Sequence, residues 1–420
     1  VPVQLFGFLS LVIPLAILPP QDKPAQEPLE ECTAGVASGR ATTDGRPLLW
    51  KTRDTSATNN EVIWNTSGRY GFVSVISAGS PSSSWMGVNE KGFAIINTAS
   101  GDLPSGSTGM GNGTFMAYAL QRCATVAEFE DLLKETNRVG RRTSTNYGVI
   151  DATGAAAFFE TAGQQYWRFD AADTEKGYIL RTNFAVNGDR SRGDPPGSMD
   201  RYLQTEQLMI DFYRTDKIDF KEIVKIQVRS FGNSDGELVD LPFTGTIEGH
   251  ERGYYPNNSS INRNTSVSFA VIQGVLSGED PRLSTMWTIL GQPSTGITVP
   301  YWPVGETPPE ADGPDTAPLS DAANQIKREL YEEYENPDPS ARRIRPLFIN
   351  TLELRDENGE GIWKVIMPAE DSIIAESERS LETWRSSGVD PAEMLEVEGR
   401  MSRWALAVIQ RAYQYLLRLH

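Results

Sequence analysis

Histidine is almost missing from this sequence: among 420 residues only His250 and His420 carry an imidazole. Zinc sites built on two or three histidines are therefore excluded. A Ser-His-Asp or Cys-His pair would have to use His250, which lies in the Gly-flanked polar stretch Gly249-His250-Glu251. Cysteine is equally scarce, and Cys32 and Cys123 are too few for a disulfide scaffold or a CxxC metal or redox motif. Basic residues are outnumbered, 39 against 56 acidic ones, for a formal charge of −17. A sequence-independent grip on nucleic acid or on an anionic leaflet needs clustered Lys and Arg, so this balance argues against both partners. No internal repeat is visible, and no metal or redox cofactor is implied. At 39% hydrophobic and 23% charged residues the composition is globular. The length suits two or three domains, or one large mixed domain with an appendage.

Long apolar runs are missing too. Leu5 to Leu18 has fourteen uncharged residues interrupted by Pro14, short of the roughly 20 that a bilayer span needs. The run resembles a signal-peptide core, although a basic n-region is absent. A buried N-terminal helix competes, but Pro19-Pro20 and the polar QDKPAQEPLEE after it favour a removed leader. Residues 1–20 are thus expected to be a signal peptide and 21–31 a propeptide, with export to the periplasm or the extracellular space. Lipoprotein processing at Cys32 is disfavoured because Glu30 and Glu31 precede it.

From Thr33 to about Asn183 short β-like runs alternate with Gly-rich turns, including 48–50, 71–76, 93–96, 147–150, 156–159, 165–169 and 178–180, with a turn over 151–154. The patterns predict helices over 114–122 and 125–135, the second opened by a Thr125/Glu128 capping box. Helical segments over 199–228 precede strands over 267–272 and 286–290. The order suits helices packed on stacked sheets. After the proline-rich residues 302–319, apolar spacing of 3.6 predicts helices over 321–335, 369–386 and 391–417. The polar run Asn257-Asn258-Ser259-Ser260 reads as a loop. Together with Asn65, Asn112 and Asn264 it offers glycosylation sequons in a eukaryotic source.

Chemistry concentrates at Glu31-Cys32-Thr33. A cysteine exposed as a new N-terminus needs no histidine: its α-amino group, of pKa about 7.7 to 8.0, can take the proton of a thiol of pKa about 8.5. The plainer reading of a single cysteine is a small buried hydrophobe. The stretch from Cys32 through Ser38-Gly39-Arg40 to Lys51-Thr52-Arg53-Asp54 resembles the N-terminal-nucleophile (Ntn) amide hydrolases. It is most similar to the acyl-coenzyme A:6-aminopenicillanate (isopenicillin N) acyltransferase family, with choloylglycine hydrolases and acid ceramidase more distant. In those enzymes a hairpin leads from the nucleophile to a basic residue, two spacers and an Asp, which Lys51 and Asp54 match. Lys stands where the bile-salt enzymes carry Arg and lacks the planar fork; Arg53 is the alternative. The resemblance implies that Asp54 orients the Cys32 α-amino group. Asn89-Glu90-Lys91-Gly92-Phe93 resembles the family's NExGL hairpin and implies Asn97 as an oxyanion donor. Thr182-Asn183 implies Asn183 as a second one, and Ser198-Met199-Asp200-Arg201-Tyr202 implies that Arg201 supports Cys32 and Asp54.

The resemblance covers roughly Cys32 to Pro303. It implies an α+β fold, a four-layer αββα sandwich over 32–303. A linker at 304–319 and a C-terminal helical extension at 320–420 packed on the core complete the expected organisation. It further implies self-cleavage at Glu31-Cys32 and hydrolysis of a linear small-molecule amide through a thioester on Cys32. An acyltransferase using the same thioester, a dipeptidase-like relative and a catalytically silent exported binding protein are the alternatives. Trp64, Trp85, Tyr147 and Trp167 could line an acyl pocket, though core is their plainer reading. Homo-oligomerisation stays open.

Overall fold

A computed structural model describes residues 31–419 apart from 107, 190, 192–196, 216, 314–315 and 333–347. The expected leader, most of the expected propeptide and His420 lie outside the described residues. Two antiparallel sheets form the centre. Strands β1 (Thr33–Ala37) and β2 (Leu48–Asp54) make a hairpin in the first sheet. Then β3 (Asn60–Asn65), β4 (Phe72–Ser77), β5 (Met86–Asn89), β6 (Ala94–Ala99), β7 (Thr145–Ile150), β8 (Ala156–Thr161) and β9 (Tyr166–Asp170) run as a seven-stranded meander. Strand β10 (Tyr178–Arg181) returns to pair with β1. Two small ladders follow, β11 (Phe231–Gly232) with β12 (Leu238–Val239), and β13 (Tyr254–Pro256) with β17 (Phe348–Asn350). Strands β14 (Ser266–Gln273), β15 (Thr285–Leu290) and β16 (Val299–Tyr301) complete a six-stranded sheet of order β10-β1-β2-β14-β15-β16.

The strands read as continuous apolar runs because both faces of each sheet are covered. Successive residues divide between two cores: Ile95 and Phe159 belong to one, Ile96 and Phe158 to the other, as the two-residue period of a strand requires. Helices α1 (Asn112–Leu120) and α2 (Val126–Thr136) cover the outer face of the meander, where Phe115 and Phe129 meet Phe93, Tyr147 and Phe159. The larger core fills the space between the sheets and the outer face of the first one. There it is covered by α3 (Ser198–Thr215), α4 (Phe220–Lys225), α5 (Pro318–Leu330), α6 (Thr351–Leu354), α7 (Trp363–Ser387) and α8 (Pro391–Leu416). The fold is the expected αββα sandwich. Gly35 faces Trp50 across the first hairpin. A Cβ there would sit 2.1 Å from the indole ring, so only glycine allows the tryptophan to lie flat on the sheet.

Boundaries differ where side-chain chemistry decides them. At α2, Thr125 Oγ1 accepts from Glu128 N at 3.1 Å, but the Glu128 carboxylate takes the Ala124 N–H rather than that of Thr125, so the capping box is half formed. Helix α7 starts six residues ahead of the expected 369 because Pro368, in its second turn, forfeits only one backbone bond. Helix α5 ends at Leu330, after which Tyr331 bridges to Ile349 in extended form. In the proline-rich stretch, Ala311 is fully buried and its carbonyl accepts from Val62 N at 2.9 Å. The C-terminal helices share the core of the first sheet. Buried Arg229, just after α4, grips Glu370 of α7 with two 2.8 Å bonds.

Candidate active site

Pairing builds the site at one end of the first hairpin. Register sets Thr33 opposite Thr52 and Ala34 opposite Lys51, while β10 sets Arg181 beside Ala34 and so delivers Thr182 and Asn183 to Cys32. The Cys32 N–H donates to Asn183 Oδ1 at 2.7 Å. That same oxygen accepts from Arg201 Nη2 at 3.2 Å, and Arg201 Nη1 donates to Thr33 Oγ1 at 3.0 Å. Arg201 comes from the first turn of α3, and its Nη1 lies 3.9 Å from Asp54 Oδ2. Asp54 closes β2, and its carboxylate accepts from Ser266 Oγ at 2.7 Å and from Arg263 Nε at 2.9 Å. Arg263 Nη2 donates to the Glu31 carboxylate, while Glu31 N–H donates to the Asp54 carbonyl at 3.0 Å. Lys327 of α5 completes the cluster by donating to Ser266 O at 3.1 Å.

The other face of β2 carries a separate pair. Lys51 and Arg53 alternate with Thr52 and Asp54 and so point into the gap between the sheets. Lys51 Nζ donates to Asn97 Oδ1 at 2.6 Å, and an ammonium can only donate, so the orientation of that amide is fixed. The turn before β6 sets the position of Asn97. Asn89 Oδ1 accepts from Lys91 N and Phe93 N, and Gly92 takes φ +76°, a left-handed conformation suited to glycine. Arg53 is not a second Lys51: it donates to Asn60 Oδ1 at 2.6 Å and Ser77 Oγ at 3.1 Å and lies 4.4 Å from the Trp85 ring centre. Continuing the alternation of β1 puts the Cys32 side chain on the Lys51 face.

Burial sets the electrostatics. It raises the Asp54 carboxyl to about 7, against the pull of Arg201, the Ser266 bond, Lys327 and Lys51. It lowers Lys327 to about 8, opposed by Asp54, and Arg263 to about 9. Arg201 is also lowered by burial, with Asp54 and then Cys32 pulling it back up. Cys123 is pushed up to about 12 by burial, which leaves it an inert core thiol.

Of the six expected residues, Cys32, Asp54, Asn183 and Arg201 share one network, and Lys51 with Asn97 form the second. Asn183 meets Cys32 with its amide oxygen, and its Nδ2 donates to Ala99 O at 2.9 Å, which differs from an oxyanion donor. His250 is engaged elsewhere: its Nδ1 lies 2.6 Å from Glu332 Oε2, and its ring stacks on Phe348 in the β13–β17 ladder. Tyr147 belongs to the outer core under α1 and α2, so it lines no acyl pocket. Arg263, Ser266 and Lys327 were not legible as site residues, nor was the contact of the Glu31 carboxylate with Arg263. The loop over 257–260 is a loop, yet Asn257 and Ser260 are fully buried, as is most of the chain leading into Arg263. Among the described residues no group of three or more His, Cys, Asp or Glu is arranged to hold a metal.

Residues 41–237 match the family model of acyl-coenzyme A:6-aminopenicillanic acid acyl-transferase. That match spans a little under half of the chain, which over those residues is similar to this family. The acyl-transferase match contains Lys51, Asp54, Asn97, Asn183 and Arg201, whereas Cys32, Arg263 and Lys327 lie outside it. Among solved structures, a mutant conjugated bile acid hydrolase from Clostridium perfringens is 12% identical, with a TM-score of 0.39 over 62% of this chain and 89% of that one. Penicillin V acylase from Agrobacterium tumefaciens is 16% identical, with a TM-score of 0.39 over 64% and 85%. No curated protein matches the chain.

Proposed function

We propose that the protein is an exported amidohydrolase whose nucleophile is Cys32, freed as an N-terminal residue by cleavage of its own Glu31–Cys32 bond. The observation that carries this reading is the anchoring of the Cys32 nitrogen. A 2.7 Å bond ties it to Asn183, inside a buried network of Arg201, Asp54 and Arg263. A nitrogen so held is ready to become an oriented amine. In processing, Cys32 Sγ attacks the Glu31 carbonyl carbon, and the C–N bond breaks. The nitrogen leaves as the α-amine and takes up the thiol proton. Water then hydrolyses the thioester, which releases the Glu31 carboxyl group and restores the thiol.

In turnover the α-amine accepts the thiol proton, the thiolate attacks the substrate amide, and the resulting α-ammonium protonates the leaving amine. Asn97, clamped by Lys51 through its oxygen, presents its N–H end to the oxyanion. Water deacylates the enzyme. Similarity to the acyl-transferase family over 41–237 supports acyl-group chemistry at an amide, and it makes capture of the thioester by an amine the second reading. Hydrolysis is preferred because an exported enzyme meets abundant water and little acyl-coenzyme A. Export itself is supported by the Leu5–Leu18 run; among the described residues no helix is long and apolar enough to cross a membrane.

The test is the N-terminal residue and intact mass of purified protein beside a Cys32→Ala variant. Wild type beginning at Cys32, with the variant retaining the residues before it, is the expected result. Wild type that keeps Glu31 and cleaves no amide would sink the proposal. Added hydroxylamine that diverts product to hydroxamate would report the thioester.

A further inference from the structure

The precursor bond places a carboxylate on a buried arginine next to the reacting atoms. Arg263 Nη2 donates to Glu31, Nε to Asp54 and Nη1 to Asn258 O at 3.2 Å. The Arg263 and Glu31 side chains are 4% and 12% exposed. Around Cys32 the cations Arg201, Arg263 and Lys327 face the carboxylates Asp54 and Glu31. Cleavage at Glu31–Cys32 removes Glu31 and adds an amine, which leaves Asp54 as the one carboxylate of that cluster. An unmatched buried cation is costly, so the vacated Nη2 favours a new anion.

Geometry says what kind. In processing and in turnover the same Cys32 sulfur must reach the carbonyl carbon under attack. In the precursor that carbon belongs to Glu31, whose carboxylate is separated from it by three carbons and reaches Arg263. An acyl group of that length can repeat the contact. Resting on the amidohydrolase reading above, we propose that Arg263 is a carboxylate-binding residue of the mature site. Its substrate is then an amide whose acyl chain carries a carboxylate separated from the scissile carbonyl by three carbons, as in glutaryl or α-glutamyl amides. The guanidinium provides a charge-assisted bond that a neutral acyl chain cannot make.

The test uses the full chain after its N-terminus has been determined. Glutaryl and pentanoyl p-nitroanilides are compared by kcat/KM, and glutarate and pentanoate are compared as protectants of Cys32 against iodoacetamide. The expected ratio favours glutaryl by about 10- to 100-fold, with glutarate alone protecting. In Arg263→Gln the ratio should collapse toward one, and Arg263→Lys should restore part of it. If the glutamine variant fails to fold, the wild-type ratio and protection still decide. Equal turnover of both anilides with no protection by glutarate overturns the carboxylate site while leaving amide hydrolysis standing. Protection by glutarate without cleavage of either anilide keeps the carboxylate site and fails the hydrolysis reading. Protein that retains Glu31 on Arg263 overturns both.

Discussion

Replacing Lys327 with methionine should stabilise the protein at pH 7 and remove a rise in stability that wild type shows between pH 8 and 10.5. The ammonium is buried between α5 and the start of β14, where it donates to Ser266 O at 3.1 Å. Burial lowers its pKa from the ordinary 10.5 to about 8 despite the opposing pull of Asp54. At roughly 1.4 kcal/mol per pH unit, that difference is a destabilisation of about 3 kcal/mol. Below pH 8 folded and unfolded chains both hold the proton, and the full cost applies. Between pH 8 and 10.5 the unfolded chain holds a proton that the folded one has released, so stability climbs with pH. Above 10.5 the cost is gone. Methionine keeps the stem and drops the charge, at the loss of a hydrogen bond worth about 1 to 2 kcal/mol. The variant should therefore lead by about 1 to 2 kcal/mol at pH 7 and trail by a similar amount near pH 10.5. Urea unfolding of both proteins at pH 7, 8, 9 and 10 reads this as a difference. Arg263, at about 9, is common to both and largely cancels, and Asp54, at about 7, is already ionised over most of the range. A difference flat to within about 0.5 kcal/mol over that range would refute the reasoning.

Two further outcomes follow from the geometry. Asn97→Ala should lower kcat by about 100- to 1000-fold with little change in KM, measured on processed protein with any cleaved anilide; an unchanged kcat would remove Asn97 from the oxyanion site. Arg229→Met should cost about 3 to 5 kcal/mol by stranding the buried Glu370 carboxylate. Adding Glu370→Leu should recover most of that loss in urea unfolding, and no recovery would locate the loss in packing instead.

The strands were legible because burial on both faces gives them largely apolar text, as in Phe72-Val73-Ser74-Val75-Ile76. The first hairpin and the Asn89–Gly92 turn were legible through the family resemblance. Arg263, Ser266 and Lys327 were not, because they join Asp54 only through the pairing of β14 with β2 and the packing of α5 on it. A polar loop and an ordinary helical lysine look the same in text whether they end in water or in the core. Lys51 and Arg53 were indistinguishable by charge, and register alone gave Asn97 to the first and Asn60 to the second.

The β1–β2 hairpin also works as a partition. Asn183 holds the Cys32 nitrogen beside the Arg201, Arg263 and Asp54 ion pairs on the hairpin's helix side, while Lys51 bonds Asn97 on its sandwich side. Substitutions more than about 7 to 10 Å apart with no shared partners usually combine additively. On the proposed reading, substitutions between the sheets, on β4 to β7, and substitutions around Arg263 should therefore combine additively in their effects on which acyl groups are accepted. The same partition suggests libraries split by strand face, with Arg263 and its neighbours held fixed in one and varied in the other.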